Sequence, residues 1–251
     1  MKDLNLAFLF DVDGVIAEIP HEKSWRKASL EWKLIKEGFD FTQFYQKNIA
    51  GIPGLSGAKI ILDLTGYYQK NKIIVEKEKE EKAMEFRNLK QKCLDEYLDL
   101  GDFRLFEEVV SIIKDAKKNK IPLAAISSSE NAEKILKKTN IYEIFNSTTL
   151  GAISHKVSKK EDLYILCFEK LCKKLNLKKS LLPIAFEDAD KAISAVKTLN
   201  YFCIGIARQG LATPESLIRN GADLAYNEKN LKERGYEGII IDIRQKLSLF
   251  S

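Results

Sequence analysis

Five short apolar runs without polar alternation constrain the fold of this chain more than any other feature of its sequence. A strand that is apolar on both faces must be covered on both faces, which is typical of parallel sheets flanked by helices. Strand–helix alternation with right-handed crossovers produces such a sheet. The predicted strands are LAFLF at 6–10, IPLAAI at 121–126, LPIAF at 182–186, FCIGIA at 202–207 and GIIIDI at 238–243, and the predicted helices are Phe106–Asn119, Ala132–Lys138, Asp162–Leu175 and Lys191–Leu199. The sequence therefore predicts an α/β fold with a Rossmann-like parallel sheet and helices on both faces.

One long insertion interrupts this alternation. About a hundred residues separate the first predicted strand from the second, far more than the dozen or so that a crossover needs. Apolar residues recur at helical spacing around 86–98, and the charged run EKEKEEK at 76–82 is typical of a solvated helix face. We therefore expect an α/β core from residues 1–16 and 102–251, with residues 17–101 forming an inserted α-helical cap domain over the sheet.

Composition narrows the class of protein. Of 251 residues, 45% are hydrophobic and 31% are charged, and the net charge of +5 is spread along the chain, so a nucleic-acid partner is not expected. Four cysteines without a CxxC pair and two histidines argue against structural zinc and favour reduced thiols. Neither a signal peptide nor a membrane-spanning run is predicted. We expect a cytoplasmic protein without membrane contact, a monomer or a weak homo-oligomer.

The first apolar run ends in two aspartates, Asp11 and Asp13, followed by Gly14. Ligands of open parallel sheets bind beyond the carboxyl ends of the strands. Side chains two residues apart on an extended chain point the same way, so these carboxylates repel each other and resist burial. A divalent cation is the simplest agent that offsets this cost, and Gly14 permits close backbone approach. The alternatives are a solvated turn and a calcium loop, although Val15 and Ile16 stand where an EF-hand has oxygen ligands.

Two further predicted strand ends carry polar groups. The second run ends in Ser127, Ser128 and Ser129, whose hydroxyl and N–H groups suit a phosphate but also suit an ordinary helix N-cap. The third run ends in Glu187 and Asp188, carboxylates suited to a hard cation or to the start of the next helix. An inward-pointing lysine between them would neutralise a phosphoryl group, and the candidates are Lys156, Lys159 and Lys160.

These motifs follow one another in a specific order. FLFDVDGVI precedes the helical insertion, and AAISSSENAEKIL, SKKEDLY and IAFEDADKAISAVKTLNYFCIGIAR follow it. In this order the sequence resembles the haloacid dehalogenase superfamily of phosphotransferases, in the subgroup of β-phosphoglucomutases and sugar-phosphate phosphatases. The resemblance extends over nearly the whole chain. It implies Mg²⁺ as the cofactor and a small phosphorylated metabolite as the substrate.

The resemblance also implies a role for each motif residue. Asp11 would attack phosphorus to give an aspartyl-phosphate, and Asp13 would protonate the leaving oxygen and then act as a base. Ser127 would bind a phosphoryl oxygen, and Lys159 would balance charge. The implied Mg²⁺ ligands are Asp11, Asp13 through its backbone carbonyl, Glu187 and Asp188.

Substrate selection is expected from the insertion and from the loop after the second strand. His21 and Trp25, four residues apart, resemble a pair found in the mutases, although His21 fits an ordinary helix surface equally well. The mutases bind a second phosphate through an arginine in a Gly-x-x-Arg segment and through a lysine after the serines. This chain has Gly51-Ile52-Pro53-Gly54 and Glu130 instead, so it lacks two charge-assisted contacts. The expected substrate-binding residues are Gly14, His21, Gly51, Ser128 and Asn131.

The resulting hypothesis is a Mg²⁺-dependent phosphatase that hydrolyses a small phosphomonoester, a sugar phosphate or similar metabolite, through an aspartyl-phosphate. A β-phosphoglucomutase-type sugar-phosphate mutase is the first alternative. The second alternative is a phosphorylation-controlled binding protein resembling a response-regulator receiver, which also uses a carboxylate cluster but lacks an Asp-x-Asp motif and a long insertion.

Overall fold

A computed structural model of the chain describes residues 5–50, 52–152, 154–157, 159–177 and 181–248. The described residues divide into two compact units. The sheet unit comprises those up to Ile19 and from Arg104 onward, and the helical unit is Pro20–Phe103.

The sheet unit contains a parallel sheet, as the apolar runs predict, and four of the five predicted strands belong to it. Its six strands are β1 (Leu6–Asp11), β4 (Leu123–Ser127), β5 (Ser147–Leu150), β6 (Leu182–Glu187), β7 (Phe202–Ala207) and β8 (Leu224–Asn227). Their order is β5-β4-β1-β6-β7-β8, so β1 lies near the centre, between β4 and β6. Two short antiparallel strands, β2 (Ala17–Glu18) and β3 (Arg104–Leu105), pair beside the two chain crossings between the units.

Both faces of the sheet are covered, which explains why its inner strands lack polar alternation. Phe8 and Phe10 of β1 belong to the hydrophobic cluster on one face, which α6 (Glu107–Lys118) and α11 (Glu228–Ser248) cover. Ala7 and Leu9 belong to the cluster on the other face, which α8 (Lys160–Lys174) and α9 (Asp190–Thr198) cover. The Phe10 and Phe186 rings stack with their centroids 4.2 Å apart, which joins β1 to β6.

The four predicted helical segments agree with helices of the structure to within about two residues. The helical unit contains α1 (His21–Glu31), α2 (Phe41–Asn48), α3 (Gly54–Leu64), α4 (Tyr67–Lys70) and α5 (Glu76–Asp99). The sheet unit contains α6 (Glu107–Lys118), α7 (Ala132–Lys138), a 3₁₀ turn at Tyr142–Ile144, α8 (Lys160–Lys174), α9 (Asp190–Thr198), α10 (Pro214–Arg219) and α11 (Glu228–Ser248). Gly235 interrupts α11 with the non-helical dihedrals φ 56° and ψ −168°.

One predicted strand is wrong. GIIIDI at 238–243 lies inside α11, where Ile239, Ile240 and Ile243 are buried and Ile241 is half exposed. This spacing of buried residues matches one face of a helix, and charged residues flank the run on both sides. The true outer strands, β5 (STTL) and β8 (LAYN), are short and partly polar because each has a strand on one side only, so no apolar run marked them.

The division into units falls at Ile19/Pro20 and at Phe103/Arg104, two to three residues later than the expected boundaries at 16/17 and 101/102. The reason is that β2 and β3 pair with each other and stay with the sheet unit. The helical unit has its own core, in which Trp25, Phe41 and Phe86 are buried. Among the described residues, none of the helices is both long enough and apolar enough to cross a membrane.

We expect Phe8→Ala to lower the free energy of unfolding by about 3–5 kcal/mol, because it removes a large ring from the centre of the sheet. Phe8 is fully buried and contacts the rings of Phe10 and Phe186 at centroid distances of 6.0 and 5.2 Å. Urea titration followed by circular dichroism measures the change. Ile241→Ala is the control, because Ile241 is 50% exposed and the expected cost is below about 1 kcal/mol. Equal losses in both variants would contradict the central position of Phe8.

Candidate active site

The carboxyl ends of β1, β4 and β6 meet at one edge of the sheet. Asp11 is the last residue of β1 and pairs with Ile126, so Ser127, at the end of β4, lies one residue beyond it on the neighbouring strand. Glu187 is the last residue of β6, on the other side of β1. Because the three strands are parallel and adjacent, side chains that are remote in sequence converge where open α/β sheets bind ligands.

Three carboxylates form a group at this edge. Asp11, Glu187 and Asp188 each present an oxygen, and these oxygens lie within 4.8 Å of one another. Asp11 is 6% exposed, Glu187 is fully buried and Asp188 is half-buried. Such a cluster of buried negative charge is costly unless cations neutralise it. The carboxylates that sequence patterns indicated separately are thus brought together by the sheet.

Lys160 supplies one of the neutralising charges. Its Nζ lies 2.9 Å from Asp11 Oδ1 and 3.1 Å from Glu187 Oε1. Burial disfavours its charged form, but the Asp11 and Glu187 carboxylates outweigh burial and raise the pKa of Lys160. Its ammonium therefore carries a permanent positive charge between the two acids.

Of the three candidate lysines, Lys160 makes this contact, whereas the sequence analysis gave the charge-balancing role to Lys159. Lys159 is the exposed N-cap residue of α8, and Lys156 is exposed in the preceding loop. Successive residues of a helix point about 100° apart, so only one of two adjacent lysines can face the carboxylates. The start of α8 at Lys160 decides which one does, and the sequence alone left that start open.

A tyrosine that the sequence reading missed also reaches the cluster. The hydroxyl of Tyr164, one helical turn after Lys160, donates a hydrogen bond of 2.6 Å to Glu187 Oε1. Burial, followed by the negative charge of Glu187, raises the pKa of Tyr164, so its hydroxyl keeps its proton. The other oxygen, Glu187 Oε2, is buried and has no hydrogen-bond partner. An unpartnered carboxylate oxygen beside Asp11 and Asp188 fits a hard divalent cation such as Mg²⁺, which takes oxygen ligands.

The turn after β1 is built for close packing. Gly14 has φ +80°, and a Cβ placed on it would lie 1.9 Å from Asp188 Oδ2. Only glycine permits both this dihedral and the approach of the Asp188 carboxylate. The turn closes through a bridge between Asp13 and Ala17, and Gly14 N–H donates to the Ala17 carbonyl at 2.9 Å. Asp13 therefore lies in a hydrogen-bonded turn directly after Asp11, and Gly14 of this turn packs against the Asp188 carboxylate.

Arg208 and Glu108 brace this turn, and the sequence reading missed both. Arg208, at the end of β7, donates to the carbonyls of Gly14 and Val15 at 2.6 and 2.8 Å. It also donates to Glu108 Oε1 at 2.7 Å, and both side chains are buried. Its guanidinium lies 3.3 Å from the ring centroid of Phe106. The arginine at the end of FCIGIAR was the only sequence signal, and its partners become visible only in the fold.

The loop after β4 is held by its own hydroxyls. Ser127 is buried, and its Oγ accepts a hydrogen bond of 3.1 Å from the Ser129 N–H. Ser129 Oγ accepts from the Asn131 N–H at 3.2 Å, and Ser128 is exposed. Glu130 turns to the next loop, where Ser154 donates to its carboxylate through N–H and hydroxyl at 3.2 and 2.5 Å. A carboxylate, rather than an ammonium, thus stands in this loop.

Two of the predicted substrate-binding residues belong to the helical unit. His21 is the first residue of α1, and its Nδ1 lies 2.9 Å from Lys90 Nζ. Lys90 is buried on α5, with its ammonium 5.5 Å from the ring centroid of Trp25, four residues after His21. The sequence reading missed Lys90 because it lies in a helix crowded with surface lysines. Gly51 lies outside the described residues.

The electrostatic balance of the site is negative. Burial and then the charge of Glu187 raise the pKa of Asp11 to about 7. Burial and Glu187 also raise the pKa of Asp188 well above its usual range. One ammonium faces three carboxylates, so the group can accept a divalent cation, and a cation would hold Asp11 in its nucleophilic, ionised form.

The chain was compared with known protein families and proteins. The profile of the haloacid dehalogenase-like hydrolases matches residues 6–200. A β-phosphoglucomutase of Bacillus subtilis strain 168 is 27% identical over 224 residues, which cover 87% of this chain and 91% of that protein.

Solved structures resemble the whole chain. The archaeal β-phosphoglucomutase of Pyrococcus sp. strain ST 04 has a TM-score of 0.78 and 27% identity, over 96% of this chain and 99% of that one. A protein named "predicted phosphoglycolate phosphatase", from Haemophilus somnus 129PT, has a TM-score of 0.69 and 17% identity, over 97% and 99% of the two chains. The second likeness shows the shared fold.

The raised pKa of Asp11 predicts how stability depends on pH in metal-free buffer. Between its usual pKa of 3.8 and about 7, the folded state binds a proton that the unfolded state has lost, so stability falls as pH rises. Asp11→Asn removes this dependence. Its stability relative to the native protein should therefore rise between pH 4.5 and 8 by about 3 kcal/mol, at about 1.4 kcal/mol per pH unit up to the pKa of about 7. Urea unfolding in EDTA measures the difference in unfolding free energy. If the free energies of the two proteins changed in parallel with pH, the raised pKa could not belong to Asp11.

Proposed function

We propose, because this chain belongs to the haloacid dehalogenase-like hydrolase family, that it is a Mg²⁺-dependent phosphatase that hydrolyses a small phosphomonoester through an aspartyl-phosphate. The resemblance predicted from the motifs is confirmed by the family match. The observation that carries the proposal is the group of Asp11, Glu187 and Asp188 with its unpartnered Glu187 oxygen. A sugar phosphate or a similar metabolite is the proposed substrate.

In this proposal Asp11 is the nucleophile and Asp13 is the general acid and base. An Asp11 oxygen attacks phosphorus while the ester P–O bond breaks, and Asp13 gives the leaving oxygen its proton. Water then attacks phosphorus, Asp13 takes the proton of that water, and the bond between phosphorus and the Asp11 oxygen breaks. Phosphate leaves, and both aspartates return to their starting states. The turn closed by the bridge between Asp13 and Ala17 supports this division, because it fixes the backbone of Asp13 two residues after Asp11.

Positive charge and hydrogen-bond donors surround the transferred group. Lys160 contacts Asp11 Oδ1 and keeps positive charge beside the attacking carboxylate. Asp11, Glu187, Asp188 and the Asp13 carbonyl would hold Mg²⁺, whose charge would offset the negative charge of the phosphoryl oxygens. Phosphoryl transfer depends chiefly on such electrostatic stabilisation. The Ser127 hydroxyl, which accepts from the Ser129 N–H and keeps its own proton for donation, is the proposed phosphoryl donor. Gly14, Ser128 and Asn131 are the proposed neighbouring substrate contacts.

The loop after β4 favours a substrate with a single phosphate. Glu130 places a carboxylate there, held by two hydrogen bonds from Ser154. A second phosphate approaching this loop would meet negative charge rather than a cation. This argument supports water as the acceptor of the phosphoryl group, and a monophosphate as substrate.

A phosphomutase is the second candidate, and a specific observation favours it. Lys90, a buried lysine of the helical unit, lies 2.9 Å from His21, the residue whose spacing from Trp25 resembles a pair found in the mutases. The relatives with 27% identity are β-phosphoglucomutases. The roles of His21, Gly51 and the helical unit in choosing the substrate remain predictions. Membership of a family of hydrolases argues against the third hypothesis, a phosphorylation-controlled binding protein.

Hydrolysis is tested with a panel of phosphomonoesters in Mg²⁺ buffer, with phosphate release as the readout. We expect release by the native protein and none above background from Asp11→Asn, because the nucleophile is lost. Lys160→Met should lower kcat by about 100-fold or more, as loss of a charge-stabilising group typically does. Lys159→Met is the matched control and should retain activity, since its side chain is exposed. Undiminished turnover in Asp11→Asn would exclude Asp11 as the nucleophile.

A second assay separates the two candidates. β-Glucose 1-phosphate is supplied with a bisphosphate activator, and glucose 6-phosphate and phosphate are both followed. The phosphatase hypothesis expects phosphate to accumulate without isomerised product, because Glu130 disfavours binding of a second phosphate. Isomerisation without phosphate release would establish the mutase instead.

A further inference from the structure

We propose that Tyr164 is a positioning residue that orients Glu187 for cation binding. The inference rests on the proposed Mg²⁺-dependent function. It adds a role for Tyr164, the last residue of the motif SKKEDLY, to which the sequence analysis assigned none. Tyr164 does not reach the cation itself in this proposal. It acts through the carboxylate that its hydroxyl contacts.

The geometry of α8 places two donors on one oxygen. Lys160 and Tyr164 are four residues apart, so they lie on the same face of the helix. Lys160 Nζ is 3.1 Å from Glu187 Oε1, and the Tyr164 hydroxyl is 2.6 Å from the same atom. The other carboxylate oxygen, Oε2, is buried without a partner. One oxygen of Glu187 is therefore occupied from α8 and the other is left for a ligand.

Two donors on Oε1 restrict rotation of the carboxylate about its last side-chain bond, a torsion that is otherwise broad. With the hydroxyl removed, Lys160 alone would hold Oε1, and the ammonium is shared with Asp11. The carboxylate could then turn so that both oxygens compete for Lys160. Groups that orient metal ligands in this way typically change metal affinity by 10–100-fold when they are mutated.

A buried tyrosine also needs a hydrogen-bond partner for purely structural reasons, so the control must separate the two roles. The chain offers a matched pair. The Tyr226 hydroxyl donates to Asp242 Oδ2 at 2.7 Å, between β8 and α11 and away from the carboxylate group. Tyr226→Phe removes a tyrosine–carboxylate hydrogen bond of the same kind without touching Glu187. Phenylalanine keeps the ring packing at both positions, so both variants are expected to fold.

Mg²⁺ binding is measured by isothermal titration calorimetry and by the Mg²⁺-dependent rise in melting temperature, for native protein, Tyr164→Phe and Tyr226→Phe. We expect a dissociation constant at least about 10-fold higher for Tyr164→Phe and unchanged within about two-fold for Tyr226→Phe. In turnover assays, Tyr164→Phe should need more Mg²⁺ for half-maximal rate and should keep most of its kcat at saturation. Circular dichroism confirms folding.

Equal Mg²⁺ affinity in Tyr164→Phe and native protein would overturn the positioning role and leave the proposed phosphatase intact. Equal weakening in both tyrosine variants would also overturn it, because a general loss of stability would then explain the effect. Failure of the native protein to bind Mg²⁺ would overturn the proposed cation dependence, and the inference with it.

Discussion

The burial of three carboxylates around one ammonium is the constraint on which the rest of this structure depends. Asp11, Glu187 and Asp188 meet at the edge of the sheet, and Lys160 alone contacts two of them among the ion pairs of the described residues. Such an arrangement costs stability in the absence of a cation. The raised pKa of Asp11, to about 7, expresses that cost. Buried carboxylates with strongly shifted pKa values are typical of functional sites, and the proposed function of this group is phosphoryl transfer.

A rigid frame holds these charges in place. Two layers of helices cover a sheet in which β1 carries Asp11, and the neighbouring strand β6 carries Glu187. Arg208 fixes the turn that follows Asp11 through two backbone carbonyls, with Glu108 balancing its charge. Gly14 leaves room for the Asp188 carboxylate against the same turn. Catalytic groups on strand ends and short braced turns keep their geometry better than groups on long loops.

The two proposed functions differ in whether the protein binds a second phosphate. In the sheet unit, Glu130 places a carboxylate in the loop after β4, where Ser154 donates to it. This supports the proposal of a monophosphate substrate. In the helical unit, His21 lies close to Lys90, whose ammonium is near the ring of Trp25. Because the spacing of His21 and Trp25 resembles a pair found in the mutases, this unit supports the second candidate.

The sequence by itself determined the sheet, the inserted helices and the carboxylates, because these depend on local patterns. Apolar runs mark strands buried on both faces, and acidic residues at their ends mark the edge where they meet. Tertiary structure decided the rest. GIIIDI forms part of a helix because its isoleucines pack on one helical face, and Lys160 rather than Lys159 faces Asp11 because α8 starts there. Glu108 and Lys90 lie in no motif, and Tyr164 and Arg208 end the motifs SKKEDLY and FCIGIAR without an assigned role. Each of the four contacts residues far away in the chain that only the packed fold brings within hydrogen-bond distance.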